Sequence, residues 1–129
     1  MEALHIDGTK DVPEVLLDAA KGIFKISGRS CPENVSEFYG QVLRWMDAYT
    51  QTPNPKTVID FKLIYYNTAS AKMILTIMQK IEGMKESGMD VKIRWHYPDD
   101  DDDMQESGED YADLIEVPFE QISYSLDDE

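Results

Sequence analysis

The chain has one cysteine, Cys31, among its 129 residues. An internal disulfide and a cysteine-based zinc cluster are therefore excluded. Histidine is almost as scarce. His5 and His96 fall in different predicted strands, and one histidine alone defines no acid–base site, so a solvated or salt-bridged His96 is the favoured reading. No GxxxxGK[ST] loop is present to cradle a phosphate. Basic residues are few: 12 against 26 acidic ones, for a formal charge of −14. That balance is a poor match for nucleic acid or an anionic membrane, since both are polyanions. It suits a partner that offers a basic surface. The N-terminus lacks the basic segment and apolar run of a signal peptide, and no stretch approaches the roughly 20 apolar residues that cross a bilayer. The cytoplasm is the expected compartment.

What is present argues for one folded domain over residues 1–129. Hydrophobic residues make up 42% and aromatics 10%, enough for a real core in a chain of this length. Ala3 to Ile6 is a short edge strand. Val12 to Asp18 and Gly22 to Ser27 read as a hairpin closing near Lys21-Gly22. Gly28 then permits a turn, Ser30 is a helix-capping residue, and Pro32 suits a first helical turn. Val35, Phe38, Val42, Met46 and Tyr49 recur at helical spacing, with Leu43 and Trp45 beside them. Thr52-Pro53-Asn54-Pro55 ends that helix. Val58 to Tyr66 is a strand with Ile59, Phe61, Leu63 and Tyr65 on one face. A helix from about Thr68 to Lys85 follows, closed by Ser87-Gly88. Val91 to Tyr97 alternates sharply, with Lys92, Arg94 and His96 on a wet or partner-facing side. Met104 to Ile115 is a third helix, weakened by Gly108 at about 1 kcal/mol relative to Ala. Residues 122–129 are a last strand or a docked tail, with 127–129 frayed. The crossovers favour a mixed sheet of five or six strands with about three helices packed mainly on one face.

The chemistry concentrates at one junction. Asn67, Thr68 and Ser70 stand where the middle strand passes into its helix. Asn and Thr cap helix N-termini. A hydroxyl there is equally well placed for a phosphate, because unpaired N–H groups and the positive end of the dipole point at it. Spacing alone favours the plain cap. The run Asp99 to Asp103 has two readings. It is either a solvated run that favours the N-terminus of the next helix, or a site for Ca²⁺ or Mg²⁺ in a small metal-binding protein or metal-dependent enzyme. It lacks the EF-hand pattern of alternating ligands. Cys31 reads as an ordinary semi-buried thiol. Arg29 is either a structural contact or a partner contact.

Four blocks, in order, carry a resemblance. They are Phe24-Lys25-Ile26-Ser27-Gly28-Arg29-Ser30; Pro32-Glu33-Asn34-Val35 with Phe38-Tyr39 and Trp45; Tyr66-Asn67-Thr68-Ala69-Ser70-Ala71-Lys72; and Trp95-His96-Tyr97 with the acidic run and Gly108-Glu109-Asp110-Tyr111-Ala112. From about Leu4 to Phe119 the chain resembles the SiaC family of bacterial regulatory phosphoproteins. The resemblance implies a small domain like the STAS-type anti-sigma-factor antagonists, without enzymatic activity or cofactor. It implies a partner kinase, a PP2C-type phosphatase and an output protein such as a diguanylate cyclase, bound by the unphosphorylated form. Thr68 matches the phosphorylated threonine. Ala69 and Ala71 replace serines common in that family block, which leaves Thr68 and Ser70 as its hydroxyls. The implied partner-binding surface comprises Asn67, Ser70 and Lys72 with the turn Gly28-Arg29-Ser30.

Overall fold

Elements change where the apolar period changes. The computed structural model describes residues 1–126; the fraying expected at 127–129 lies outside them. Strands β1 (Leu4–Ile6), β2 (Glu14–Asp18) and β3 (Ile23–Ser30) come first. Helix α1 (Val35–Tyr49), strand β4 (Lys56–Tyr66), helix α2 (Thr68–Glu86), strand β5 (Asp90–Pro98), helix α3 (Asp102–Leu114) and strand β6 (Phe119–Tyr124) follow. The sheet order is the chain order, β1 to β6. The first two pairings are antiparallel and the last three parallel. The expected hairpin is β2–β3, and the alternating C-terminal segment is a true strand paired with β5.

Each helix returns the chain to the next strand in one direction, so right-handed crossovers stack all three on one face. Buried side chains alternate accordingly: Val15 and Leu17, Phe24 and Ile26, Ile59, Phe61 and Leu63, Val91, Ile93 and Trp95. Against them pack Phe38, Val42, Trp45, Met46 and Tyr49 of α1 and Ile74, Ile77, Met78 and Ile81 of α2. This is the α/β architecture the periodicity predicts.

The opposite face is polar and largely paired within itself. Register aligns Lys25, Asp60, Arg94 and Glu120 across four strands. Asp60 accepts from Arg94 Nε at 2.8 Å, from Arg94 Nη2 at 3.0 Å and from His96 Nε2 at 2.7 Å. Partial burial works to raise the Asp60 carboxyl, but the His96 and Arg94 hydrogen bonds outweigh it and hold the group below its ordinary range. Lys92 pairs with Glu120 at 2.7 Å. The charges that read as partner-facing thus have partners in their own sheet.

Two expectations need correction. Ser30 does not cap α1, because its backbone still pairs with Tyr66 in the sheet. The cap is Asn34, whose Oδ1 accepts from Glu37 N–H at 3.0 Å. Tyr65 does not continue the inward face of β4. Leu63 lies opposite Gly28 and Tyr65 opposite Arg29, so Ile64 is an extra, unpaired residue. Such a bulge resets the alternation, and Gly28 accommodates it with φ +103°, a value that strains any residue bearing a Cβ. Ile64 and Tyr65 both turn outward, while Tyr66 packs perpendicular to the Trp95 ring, 6.1 Å between centroids.

Helix α3 comes unusually close to the sheet at Gly108. A Cβ there would stand 2.4 Å from Trp95 Cδ1 and 2.5 Å from Gln121 Oε1. The same contact lets Trp95 Nε1 donate to the Met104 carbonyl at 2.9 Å. The glycine that weakens the helix is what allows it to dock.

Candidate functional site

Thr68 is the first residue of α2. Asn67 caps it: Asn67 Oδ1 accepts from Ser70 N–H at 2.8 Å, and its carbonyl accepts from Ala71 N–H at 3.0 Å. The Thr68 side chain is exposed, and its hydroxyl makes no hydrogen bond among the described residues. The first turn carries no acidic residue, so the positive end of the helix stands uncompensated beside an open hydroxyl. That is a surface on which a phosphate is electrostatically tolerated.

Beneath it lies a closed chain of hydroxyls. Tyr39 donates to Ser30 Oγ at 2.6 Å, Ser30 Oγ donates to Ser70 Oγ at 2.9 Å, and Ser70 Oγ donates to the Ser30 carbonyl at 3.0 Å. That carbonyl also accepts from Asn67 N–H at 3.1 Å. With each serine proton spoken for, Tyr39 is left as the donor. Burial holds its phenol above the ordinary range, which keeps that proton in place. From the other side, Tyr111 donates to the Ala71 carbonyl at 2.9 Å. Its phenol too is pushed up, first by burial and then by the neighbouring Tyr66. Three elements, β3, α1 and α3, therefore fix the turn that presents Thr68.

This arrangement revises the expected docking surface. Ser30 and Ser70 are fully buried, each at 0% exposure, and their hydroxyls are consumed by one another. They hold the surface from below. Asn67 is half-buried, and Lys72 is exposed one turn beyond Thr68. Arg29 is exposed, with Nε donating to the Lys10 carbonyl at 3.3 Å and its guanidinium 5.1 Å above the Tyr65 ring. The pairing of Arg29 with Tyr65 and of Ser30 with Tyr66 brings the Gly28-Arg29 turn to the Asn67-Thr68 junction. Replacing Ser70 by Ala strips Ser30 Oγ of its acceptor and should cost about 1–3 kcal/mol in chemical denaturation. Wild-type stability in that variant would show that the hydroxyl chain holds nothing.

The acidic run is a helix start. Asp101 Oδ1 accepts from Met104 N–H at 2.9 Å, and Asp102 and Asp103 occupy the first turn of α3. Among the described residues no group of three or more His, Cys, Asp or Glu side chains is placed to hold a metal ion. The metal reading therefore gains no support. Nor is any helix among these residues long and apolar enough to cross a membrane.

Sequence reasoning meets Tyr39 and Tyr111 only within the blocks that carry the resemblance and gives neither a role at the junction. A signal existed: each lies on the apolar stripe of its helix, and a buried phenol needs a hydrogen-bond partner. The pairing of Ser30 with Ser70 left no such trace, since 40 positions separate them.

A family model described as SiaC family regulatory phosphoprotein matches residues 6–124. An uncharacterized protein of Pseudomonas aeruginosa strain UCBPP-PA14 is 32% identical over 119 residues, covering 92% of this chain and 94% of the relative. The solved structure of SiaC of Pseudomonas aeruginosa superposes with TM-score 0.88 at 30% identity, covering 96% of this chain and all of that one. A crystal structure of the diguanylate cyclase SiaD in complex with its activator SiaC, from the same organism, contains a chain that matches with TM-score 0.89 at 30% identity over 94% of this chain and 99% of that one.

Proposed function

Because the chain belongs to the SiaC family of regulatory phosphoproteins, we propose that it is the phosphorylated component of a partner-switching pathway in the bacterial cytoplasm. Unmodified, it binds and regulates an output protein through the surface around Thr68, Asn67, Lys72 and the Gly28-Arg29 turn. The output is a diguanylate cyclase, and the pathway feeds cyclic di-GMP signalling. The complex of the related SiaC with its diguanylate cyclase supports that choice. A cognate kinase transfers the γ-phosphoryl group of ATP to Thr68 Oγ1, releasing ADP and the hydroxyl proton, and the partner is released. A PP2C-type phosphatase hydrolyses the ester and restores binding. The protein is substrate and ligand in this cycle and supplies no catalytic group.

One observation carries the reading. The Thr68 hydroxyl is exposed at a helix N-terminus and unbonded among the described residues, while the hydroxyl of Ser70, two residues on, is sealed beneath it. A kinase therefore meets one acceptor in this turn. Phosphorylation adds about −1.5 to −2 charge, which the helix dipole favours by about 0.3–1 kcal/mol. The mark alters a surface and spares the core.

The cognate kinase with ATP should label the wild type on Thr68 alone, mapped by mass spectrometry, and leave Thr68→Ala unlabelled. Phosphate found on Ser70 in the folded protein would contradict the assignment, since that hydroxyl is reached only by opening α2.

A further inference from the structure

The bulge in β4 produces something the phosphoacceptor alone does not explain. Ile64 is 44% exposed and Tyr65 48%. Regular alternation would have turned one of them inward. Large apolar side chains are exposed elsewhere only singly: Met1, Ile23, Leu114 and Leu126 among the described residues. Here two are consecutive, and bulges recur next to functional sites because they re-aim side chains.

They also line a groove. Ile64, Tyr65, Tyr66 and Met104 form its apolar part, and Asp101, Asp103 and Ser107 its polar rim. Its strand side runs directly into Asn67 and Thr68. The rim belongs to the run Asp99 to Asp103, and no described cation pairs with any of those five carboxylates. Elsewhere the cations in reach of carboxylates are used: Lys80 on Asp47, Lys92 on Glu120, Arg94 on Asp60. An apolar floor beside an unpaired acidic rim fits one kind of occupant, a segment with an apolar anchor next to a lysine or arginine.

We infer that the groove between the bulged end of β4 and the start of α3 is a docking site for a basic, apolar-anchored segment of the output protein, contiguous with Thr68. The inference rests on the switch reading for the identity of the occupant. It adds where the partner's anchor sits and what chemistry it carries. It also changes how phosphate acts. A basic segment is not repelled by a dianion, so release comes from bulk and desolvation at a packed contact.

Calorimetric titration with the diguanylate cyclase of the same cell tests this, using full-length wild type, Ile64→Ser, Tyr65→Ala, Asp103→Lys, Leu114→Ser and Thr68→Glu. Ile64→Ser and Tyr65→Ala should each weaken binding at least about tenfold, as loss of a central apolar anchor does. Asp103→Lys should weaken binding at low salt and flatten its salt dependence. Leu114→Ser, an exposed apolar residue at the far end of α3, should bind as wild type. All should melt close to wild type, because every changed side chain is exposed. Wild-type affinity in Ile64→Ser and Tyr65→Ala, with Thr68→Glu impaired, overturns the groove and leaves the switch standing. Impaired groove variants with Thr68→Glu binding normally overturn the switch and leave the groove. No binding by the wild type overturns both.

Discussion

Thr68→Glu should lose most of its affinity for the output protein, about tenfold to a hundredfold, while melting within a degree or two of wild type. The two halves have separate causes. In the free protein the carboxylate lands at the first residue of α2, where Asn67 has capped one N–H and no acidic residue competes. A negative charge there is favoured by about 0.3–1 kcal/mol. In the proposed complex the same charge must be desolvated at a contact that takes a neutral hydroxyl. The penalty for an uncompensated charge in an interface is about several kcal/mol, and each 1.4 kcal/mol is a factor of about ten in affinity. Even partial screening leaves a large loss. Thr68→Ala removes only a hydroxyl that makes no bond among the described residues, so it should keep both binding and stability. Calorimetry and a thermal melt on the same three samples decide the matter. Full affinity in the Glu variant would refute the switch.

Gly108→Ala should destabilise the protein by about 1–3 kcal/mol, the cost of overpacking a filled core. The sign runs against helix propensity, which favours Ala over Gly by about 1 kcal/mol. Packing wins because the new methyl would lie 2.4 Å from Trp95 Cδ1, 2.9 Å from Trp95 Cγ and 2.5 Å from Gln121 Oε1. Trp95 cannot yield. It is fully buried, it is bonded to Met104, and its ring centroid lies 6.0 Å from that of Phe61 and 5.3 Å from that of Tyr111. Helix α3 must move instead. That displacement pulls Tyr111 away from Ala71 and loosens the turn that presents Thr68, so the variant should also bind its partner less well. The melting temperature should fall by roughly 3–10 °C for a chain of this size. A rise would show that propensity, not proximity, governs the site.

Much of this is legible in the amino-acid sequence, and the part that is not has a common cause. The order of strands and helices followed from where the apolar period switched. The hairpin at Lys21-Gly22, the long helix after Asn67 and the sharp alternation of β5 all formed as their residues indicated. Thr68 stands exposed at its junction. What failed were positions whose fate depends on a neighbour strand. Ile64 is one residue too many only because β3 sets the register beside it, so alternation along β4 placed Tyr65 inside when Tyr66 goes there. Ser70 reads as a surface hydroxyl until Ser30, 40 residues earlier, is seen beside it. Gly108 reads as a weakness because the indole that requires it lies in another element. Single-strand patterns carry period and polarity. They carry no account of what stands across the gap.

The sheet order has a bearing on how the protein is made. Every strand lies beside its predecessor in the chain, so a ribosome delivers each one to an edge already waiting for it, and no segment has to be threaded between two others. The frame around Thr68 is the exception. It draws on Ser30 and Tyr39, synthesised before it, and on Tyr111, synthesised after. A nascent chain thus completes the Thr68 turn only when helix α3 has emerged, and no product truncated before it should display that turn as the finished molecule does.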